Sequence, residues 1–156
     1  MPERSNIFIS HIHADDHQLG AMKALLARRD FHVRDASINA ARPNNANNEQ
    51  YIKSEILAPR IRWAGTMVVL VTPETRNSEW VNWEIKYAEQ QGKRIVGVYA
   101  HGANECDVPD ALDKYGDAIV GWRGERIIDA ICGDLDTYER PDGTRRDLRP
   151  IARYSC

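Results

Sequence analysis

Trp80 and Glu84, four residues apart, are the pair in this 156-residue chain whose types and spacing best suit chemistry. On a helix, residues at that spacing stack on one face, so a flat indole would lie beside a carboxylate. Val81, Ile85 and Ala88 make an apolar stripe, and Glu84 falls within or beside it rather than on the opposite polar side. Its helical neighbours three and four residues away are Trp80, Val81, Tyr87 and Ala88, so no Lys or Arg is placed locally to pair with it. A partly buried carboxylate is costly unless something uses it. The structural alternative is that Glu84 caps a backbone group or pairs with a distant Arg, and a single Trp is more often core than ligand platform. Indole and carboxylate together, just beyond the carboxyl end of a strand, point to a ligand site instead.

A second constellation is Ser10-His-Ile-His-Ala-Asp-Asp-His17. It nearly spells H-x-H-x-D-H, a set of donors that suits zinc or iron. One extra Asp breaks the spacing, and His32 and His101 do not supply the remaining ligands, so no metal is expected. Either Asp15 and Asp16 neutralise a helix amino end with the histidines facing solvent, or Ser10 and His11 line the ligand pocket. A phosphorelay receiver would need an acceptor Asp after the third strand and a Lys after the fifth. The chain has Val71-Thr72 and Gly121-Trp122 there. No glycine-rich dinucleotide or triphosphate fingerprint is present, and Cys106, Cys132 and Cys156 form neither a C-x-x-C pair nor a disulfide framework.

The elements that must position these residues follow from the hydrophobic pattern. Asn6–Ser10 is a short apolar run that stops at a polar cluster, as a first parallel strand does. Leu19, Met22, Leu25 and Leu26 mark the buried side of a first helix capped at Asp15 or Asp16. Phe31–Asp35 alternates like an edge strand. From Ala36 to Asn48 the chain is a polar loop with five Asn, and a helix follows from Glu49 to Trp63, which Pro59 kinks or ends. Gly65–Val71 reads as a buried central strand, and a helix starting near Ser78 carries Trp80 and Glu84. Arg94–Ala100 is a fourth strand, Ala118–Trp122 a fifth, and Glu125–Cys132 the last helix. The stretch from Asp134, with Pro141, Gly143, Pro150 and five Arg, reads as irregular.

Strands alternating with helices five times predict an α/β fold: a flavodoxin-like, open, doubly wound parallel five-stranded sheet with helices on both faces. Its strand order puts the ends of strands one and three at the switch point, so Ser10 and His11 should come near Trp80 and Glu84. The organisation expected is one domain over residues 1–133 and an irregular Arg-rich extension over 134–156.

Composition narrows the class of partner. A net charge of −2 with balanced acidic and basic residues gives no reason to expect direct nucleic-acid or membrane-surface binding. No apolar run approaches the roughly 20 residues of a spanning helix. The start lacks the basic and apolar regions of a signal peptide, so a cytoplasmic protein is expected.

Several of these pieces, in order, resemble the Toll/interleukin-1 receptor (TIR) family, in particular the bacterial TIR-like proteins of Thoeris-type antiphage defence. They are Ile7-Phe-Ile-Ser-His11, Thr66-Met-Val-Val-Leu-Val-Thr72, the W-x-x-x-E segment Asn77-Ser-Glu-Trp-Val-Asn-Trp-Glu84, and Arg94-Ile-Val-Gly-Val98. The resemblance spans roughly residues 5–133. The Asn-rich second loop lacks the receptor-type box. What the resemblance implies is an enzyme cleaving the nicotinamide–ribose bond of NAD, with NAD as substrate and no further cofactor. Glu84 would be the catalytic glutamate and Trp80 the stacking residue. Ser10 and His11 match the first-loop segment, and Asp35, Ser37 and Ile38 open the loop that family members use near the ligand. The expected product is a cyclic or conjugated ADP-ribose signal that activates a separate effector protein, and self-assembly on activation is implied as well. Two other readings are a non-catalytic TIR interaction module and a nucleoside deoxyribosyltransferase-like enzyme.

Overall fold

The computed structural model describes residues 3–11, 16–29, 31–35, 58–73, 75–100, 103, 107–141 and 145–146. At its centre lies β3 (Thr66–Val71), six residues that are all buried. A strand buried on both faces has no polar side to offer, which is why Met-Val-Val-Leu-Val reads as an unbroken apolar run. On one side β3 pairs in parallel with β1 (Glu3–Ser10), and on the other with β4 (Arg94–Tyr99). Outside these lie β2 (Phe31–Asp35) and β5 (Ala118–Val120), also parallel to their neighbours. The order β2-β1-β3-β4-β5 is the doubly wound, flavodoxin-like one expected from the alternation.

Residue parity along the strands sorts the core into two layers. Phe8, Met67, Val69, Val71, Ile95, Tyr99 and Ile119 face one side, where they meet α2 (Ala58–Trp63), α3 (Glu79–Gln90) and α4 (Asp110–Tyr115). Ile7, Ile9, Val68, Val96, Val98, Ala118 and Val120 face the other, where Met22 and Leu26 of α1 (Asp16–Ala27) and Ile127, Ala130 and Ile131 of α5 (Gly124–Cys132) cover them. Gly97 of β4 makes the α4 layer possible. A Cβ there would lie 2.6 Å from Leu112 Cδ2 and 3.3 Å from Ile119 Cγ1, so a side chain would force these buried side chains to repack.

Two expectations are corrected. Of the two alternatives for Pro59, kinking or ending the helix, ending is ruled out, because α2 runs through it to the expected end at Trp63 and Ala64 N–H still bonds Arg60 O at 3.2 Å, while the expected first part of that helix lies outside the described residues. Nor is the stretch from Asp134 wholly irregular. Tyr138–Glu139 adds β6, parallel to β5, and Arg145–Arg146 adds β7, antiparallel to β6, making a seven-stranded sheet. Tyr138 drives the addition by burying its ring in the α4-side core, with its hydroxyl 2.8 Å from Gly116 O and 3.0 Å from Asp113 O. Arg94 ties the same segment from below, donating to Ala130 O at 2.6 Å, Leu135 O at 2.7 Å and the Asp136 carboxylate at 2.8 Å.

Candidate functional site

The turn after β3 sets where α3 begins. Thr75 is fully buried; its hydroxyl accepts the Thr72 N–H at 2.8 Å and donates to Leu70 O at 3.1 Å, while Thr72 Oγ1 lies 2.9 Å away. These bonds satisfy backbone groups that burial would otherwise strand, and they fold Thr75–Asn77 into one 3₁₀ turn. Ser78 follows in extended conformation (φ −81°, ψ 114°) and its hydroxyl accepts the Val81 N–H at 3.2 Å. That is an N-cap, and it fixes the first turn of α3. Asn82 reinforces it by donating to Ser78 O at 2.9 Å and accepting the Ala111 N–H at 3.4 Å, which links α3 to α4.

From that start, Val81, Ile85 and Ala88 are buried against the sheet, and Glu84 is buried with them at 7% exposure. Trp80, one turn earlier, is half-buried and packs on the same core layer. Across the sheet, Ser10 shares parity with Phe8, which faces α3, so the Ser10 side chain is directed to the α3 side. Ser10 is level with Val69, two residues short of the end of β3, and α3 packs back over both β1 and β3. Ser10 Oγ donates to Glu84 Oε1 at 2.6 Å, between two buried residues 74 positions apart. That is the length of a hydroxyl–carboxylate bond.

The remaining expected positions spread outward from this pair. His11 Nδ1 lies 3.1 Å from Ile9 O. A carbonyl oxygen only accepts, so Nδ1 carries the proton and the ring is anchored to β1. Asp35 ends β2 opposite Ile7, three residues short of Ser10. Ser37 and Ile38 lie outside the described residues, as do residues 12–15 of the first loop and the Asn-rich loop. Among the described residues no cluster of three or more His, Cys, Asp or Glu could hold a metal.

Sequence reasoning missed three parts of this region. Thr75 and Asn82 brace the helix that carries Glu84, and the Ser/Thr spacing in Thr72-Pro-Glu-Thr75 was the available signal for a side-chain-supported turn. Trp83 stacks on Tyr87 with centroids 5.3 Å apart and planes 7° from parallel, and Arg62 of α2 donates to the Tyr87 hydroxyl at 2.7 Å. Trp80, Trp83, Glu84 and Tyr87 follow the i, i+3, i+4, i+7 rule of one helix face.

With this geometry in place, residues 8–105 match the family model described as Thoeris protein ThsB, TIR-like domain. The chain belongs to this TIR-like family. The matched segment of the TIR-like domain contains Ser10, His11, Trp80 and Glu84, whereas β5, α5 and the β6–β7 pair lie beyond it. No curated protein matches the chain at a significant level. Among solved structures, the TIR-like chain is similar in fold to a conserved protein from Enterococcus faecalis V583. That match has a TM-score of 0.57 and 13% identity, and it covers 85% of this chain and 99% of the other. A weaker likeness is to the Clostridium botulinum CMP N-glycosidase BcmB, with TM-score 0.41, 15% identity, and coverage of 63% of this chain and 74% of the other. Among the described residues, no helix is long and apolar enough to cross a membrane.

Proposed function

We propose that this TIR-like protein is an NAD-consuming enzyme that breaks the nicotinamide–ribose bond and makes a cyclic or conjugated ADP-ribose signal in antiphage defence. The observation that carries the reading is the buried Glu84 carboxylate, held at 2.6 Å by Ser10 where β1 ends beside β3. Open α/β sheets bind ligands at such a switch point.

The chemistry follows from the charge that develops. Nicotinamide leaves as a neutral base, taking the bonding electron pair from the anomeric carbon, and the ribose becomes oxocarbenium-like. A carboxylate facing that carbon and hydrogen-bonded to the ribose hydroxyls stabilises the transition state more than the ground state. Its effect is larger where water is scarce and the group is already oriented. Glu84 supplies that carboxylate and Trp80 offers an aromatic face to a ring of the substrate. Capture of the cation by water gives ADP-ribose and a proton. Capture by an adenine nitrogen or another nucleophile gives the cyclic or conjugated product. We assign NAD as the sole small-molecule partner, a product-activated effector protein downstream, and self-association on activation.

The test is nicotinamide release from NAD by the purified chain, alone and supplemented with extract of phage-infected cells, with the Glu84→Gln variant alongside. Release that the variant loses supports the reading. No release under either condition favours a non-catalytic TIR module, and equal release by the variant removes Glu84 from its role. Free base appearing from deoxynucleosides instead would indicate a deoxyribosyltransferase-like enzyme.

A further inference from the structure

We infer that Ser10 is the positioning residue for Glu84: its hydroxyl proton holds Oε1 and so sets the direction in which the carboxylate meets the ribose. This deepens the NAD-cleavage reading and rests on it. The resemblance gave Ser10 a place in the ligand's contact surface, whereas the geometry gives it another task. Ser10 is only 1% exposed and has one hydroxyl proton, which lies on Glu84 Oε1 at 2.6 Å.

Glutamate needs such a partner more than most side chains. Its last torsion has a broad, roughly two-fold profile, so the carboxylate plane is not fixed by the rotamer alone. A donor on Oε1 fixes that plane before substrate arrives. The donor is itself well anchored, because Ser10 is paired in register with Val69 in the middle of the parallel sheet. The acceptor's helix is fixed independently, by the Thr72–Thr75 turn and the Ser78 cap. Two rigid elements thus meet at a short hydrogen bond, which is how a reacting group is held to a fraction of an ångström.

A residue that acts through Glu84 and not on NAD has a distinct kinetic signature. Loss of an interaction that matters only in the transition state lowers kcat and kcat/KM together and leaves KM alone. Steady-state nicotinamide release, under whichever condition activates the wild-type chain, is to be measured for Ser10→Ala, Ser10→Cys and Ser10→Thr, with a thermal melt of each. Cys keeps the volume with only a weak donor, and Thr keeps the hydroxyl. In the Ala and Cys variants kcat per folded molecule should fall about 100-fold, with KM for NAD close to wild type, while the melting temperature falls modestly because a buried carboxylate loses its donor. Thr should recover a large part of the rate.

Wild-type-like kcat in Ser10→Ala and Ser10→Cys, or a raised KM with kcat intact, would overturn the inference while leaving the NAD reading standing. A rate deficit in the Ala and Cys variants that disappears when release is expressed per folded molecule would make Ser10 a structural residue instead. A wild-type chain that releases no nicotinamide removes the NAD reading first and this role with it.

Discussion

Two acidic side chains are buried among the described residues, and they are held in different ways. Glu139, 1% exposed on β6, accepts the Gly121 N–H on Oε1 at 3.3 Å and takes Nε of Arg126 on Oε2 at 2.8 Å, with Nη2 closer still. Glu84, on α3, takes a hydroxyl proton from the end of β1. The Glu139 carboxylate is committed on both oxygens, and what it joins is the C-terminal β6–β7 pair to α5 and the loop after β5. Burying an ion pair contributes little net stability, but breaking one is expensive, because the surviving charge is left in a poor solvent. Glu84 instead sits at the switch point beside a half-buried indole, within the segment shared with the family. The contrast separates a carboxylate that fastens the chain from one whose orientation is set.

The sharpest way to break this comparison is to make each carboxylate or its partner fail in turn. Glu84→Gln keeps the shape and lets Ser10 donate to the amide oxygen, so the fold should survive. Nicotinamide release, by contrast, should fall by roughly 100- to 1,000-fold, the scale for removing one preorganised electrostatic group. A melting temperature that collapses together with activity would show that Glu84 is as structural as Glu139. Arg126→Ala should do the reverse. It leaves Glu139 buried without its cation and should cost about 3 kcal/mol, toward the low end for buried pairs because the arginine side chain is 37% exposed. That amounts to a fall of about 6–12 °C in a chain of this size. Replacing Arg126 and Glu139 together by Leu should recover most of the loss, and chemical denaturation of the single and double variants measures it.

Thr75→Val probes the link between the two behaviours, because the turn it supports is structural while the helix it launches carries Glu84. Removing the hydroxyl strips the Thr72 N–H of its acceptor in a buried turn and should cost about 2 kcal/mol. Because α3 loses part of its start, nicotinamide release should also drop, though less than in Glu84→Gln. Unchanged stability would mean that a water takes over the hydroxyl's bonds.

How much of this was legible in the sequence depended on how locally it was encoded. The helix start near Ser78, the apolar stripe of α3 and the unbroken run of β3 are written in residues a few positions apart, and they read correctly. Strand order required topology, since Ser10 and Glu84 are 74 residues apart, yet the right-handed β–α–β rule was enough to bring their neighbourhoods together. The bond itself was not readable. It depends on strand parity and on how α3 packs back over β1 and β3, and neither shows in a hydrophobic pattern. The β6–β7 pair escaped for a different reason: two residues are too few to show a period. The sequence Pro141-Asp-Gly143 between Tyr138-Glu139 and Arg145-Arg146 was the missed hairpin signal.

The smallest expected effect completes the comparison. Tyr138→Phe removes a hydroxyl that can donate to one carbonyl at a time, and Leu112 O, Asp113 O and Gly116 O all lie within 3.3 Å of it. Three acceptors around one donor mean that these carbonyls share a single proton. The ring, which stays, keeps its place in the α4-side core. The loss should therefore be about 1 kcal/mol, the net contribution of one neutral hydrogen bond. Since β6 lies two strands beyond β4 and outside the family-matched segment, turnover per folded molecule should not change. A fall in nicotinamide release by Tyr138→Phe at a temperature where the variant is fully folded would show that the C-terminal strands act on the Glu84 site. It would also end the division between a fastening carboxylate and an oriented one.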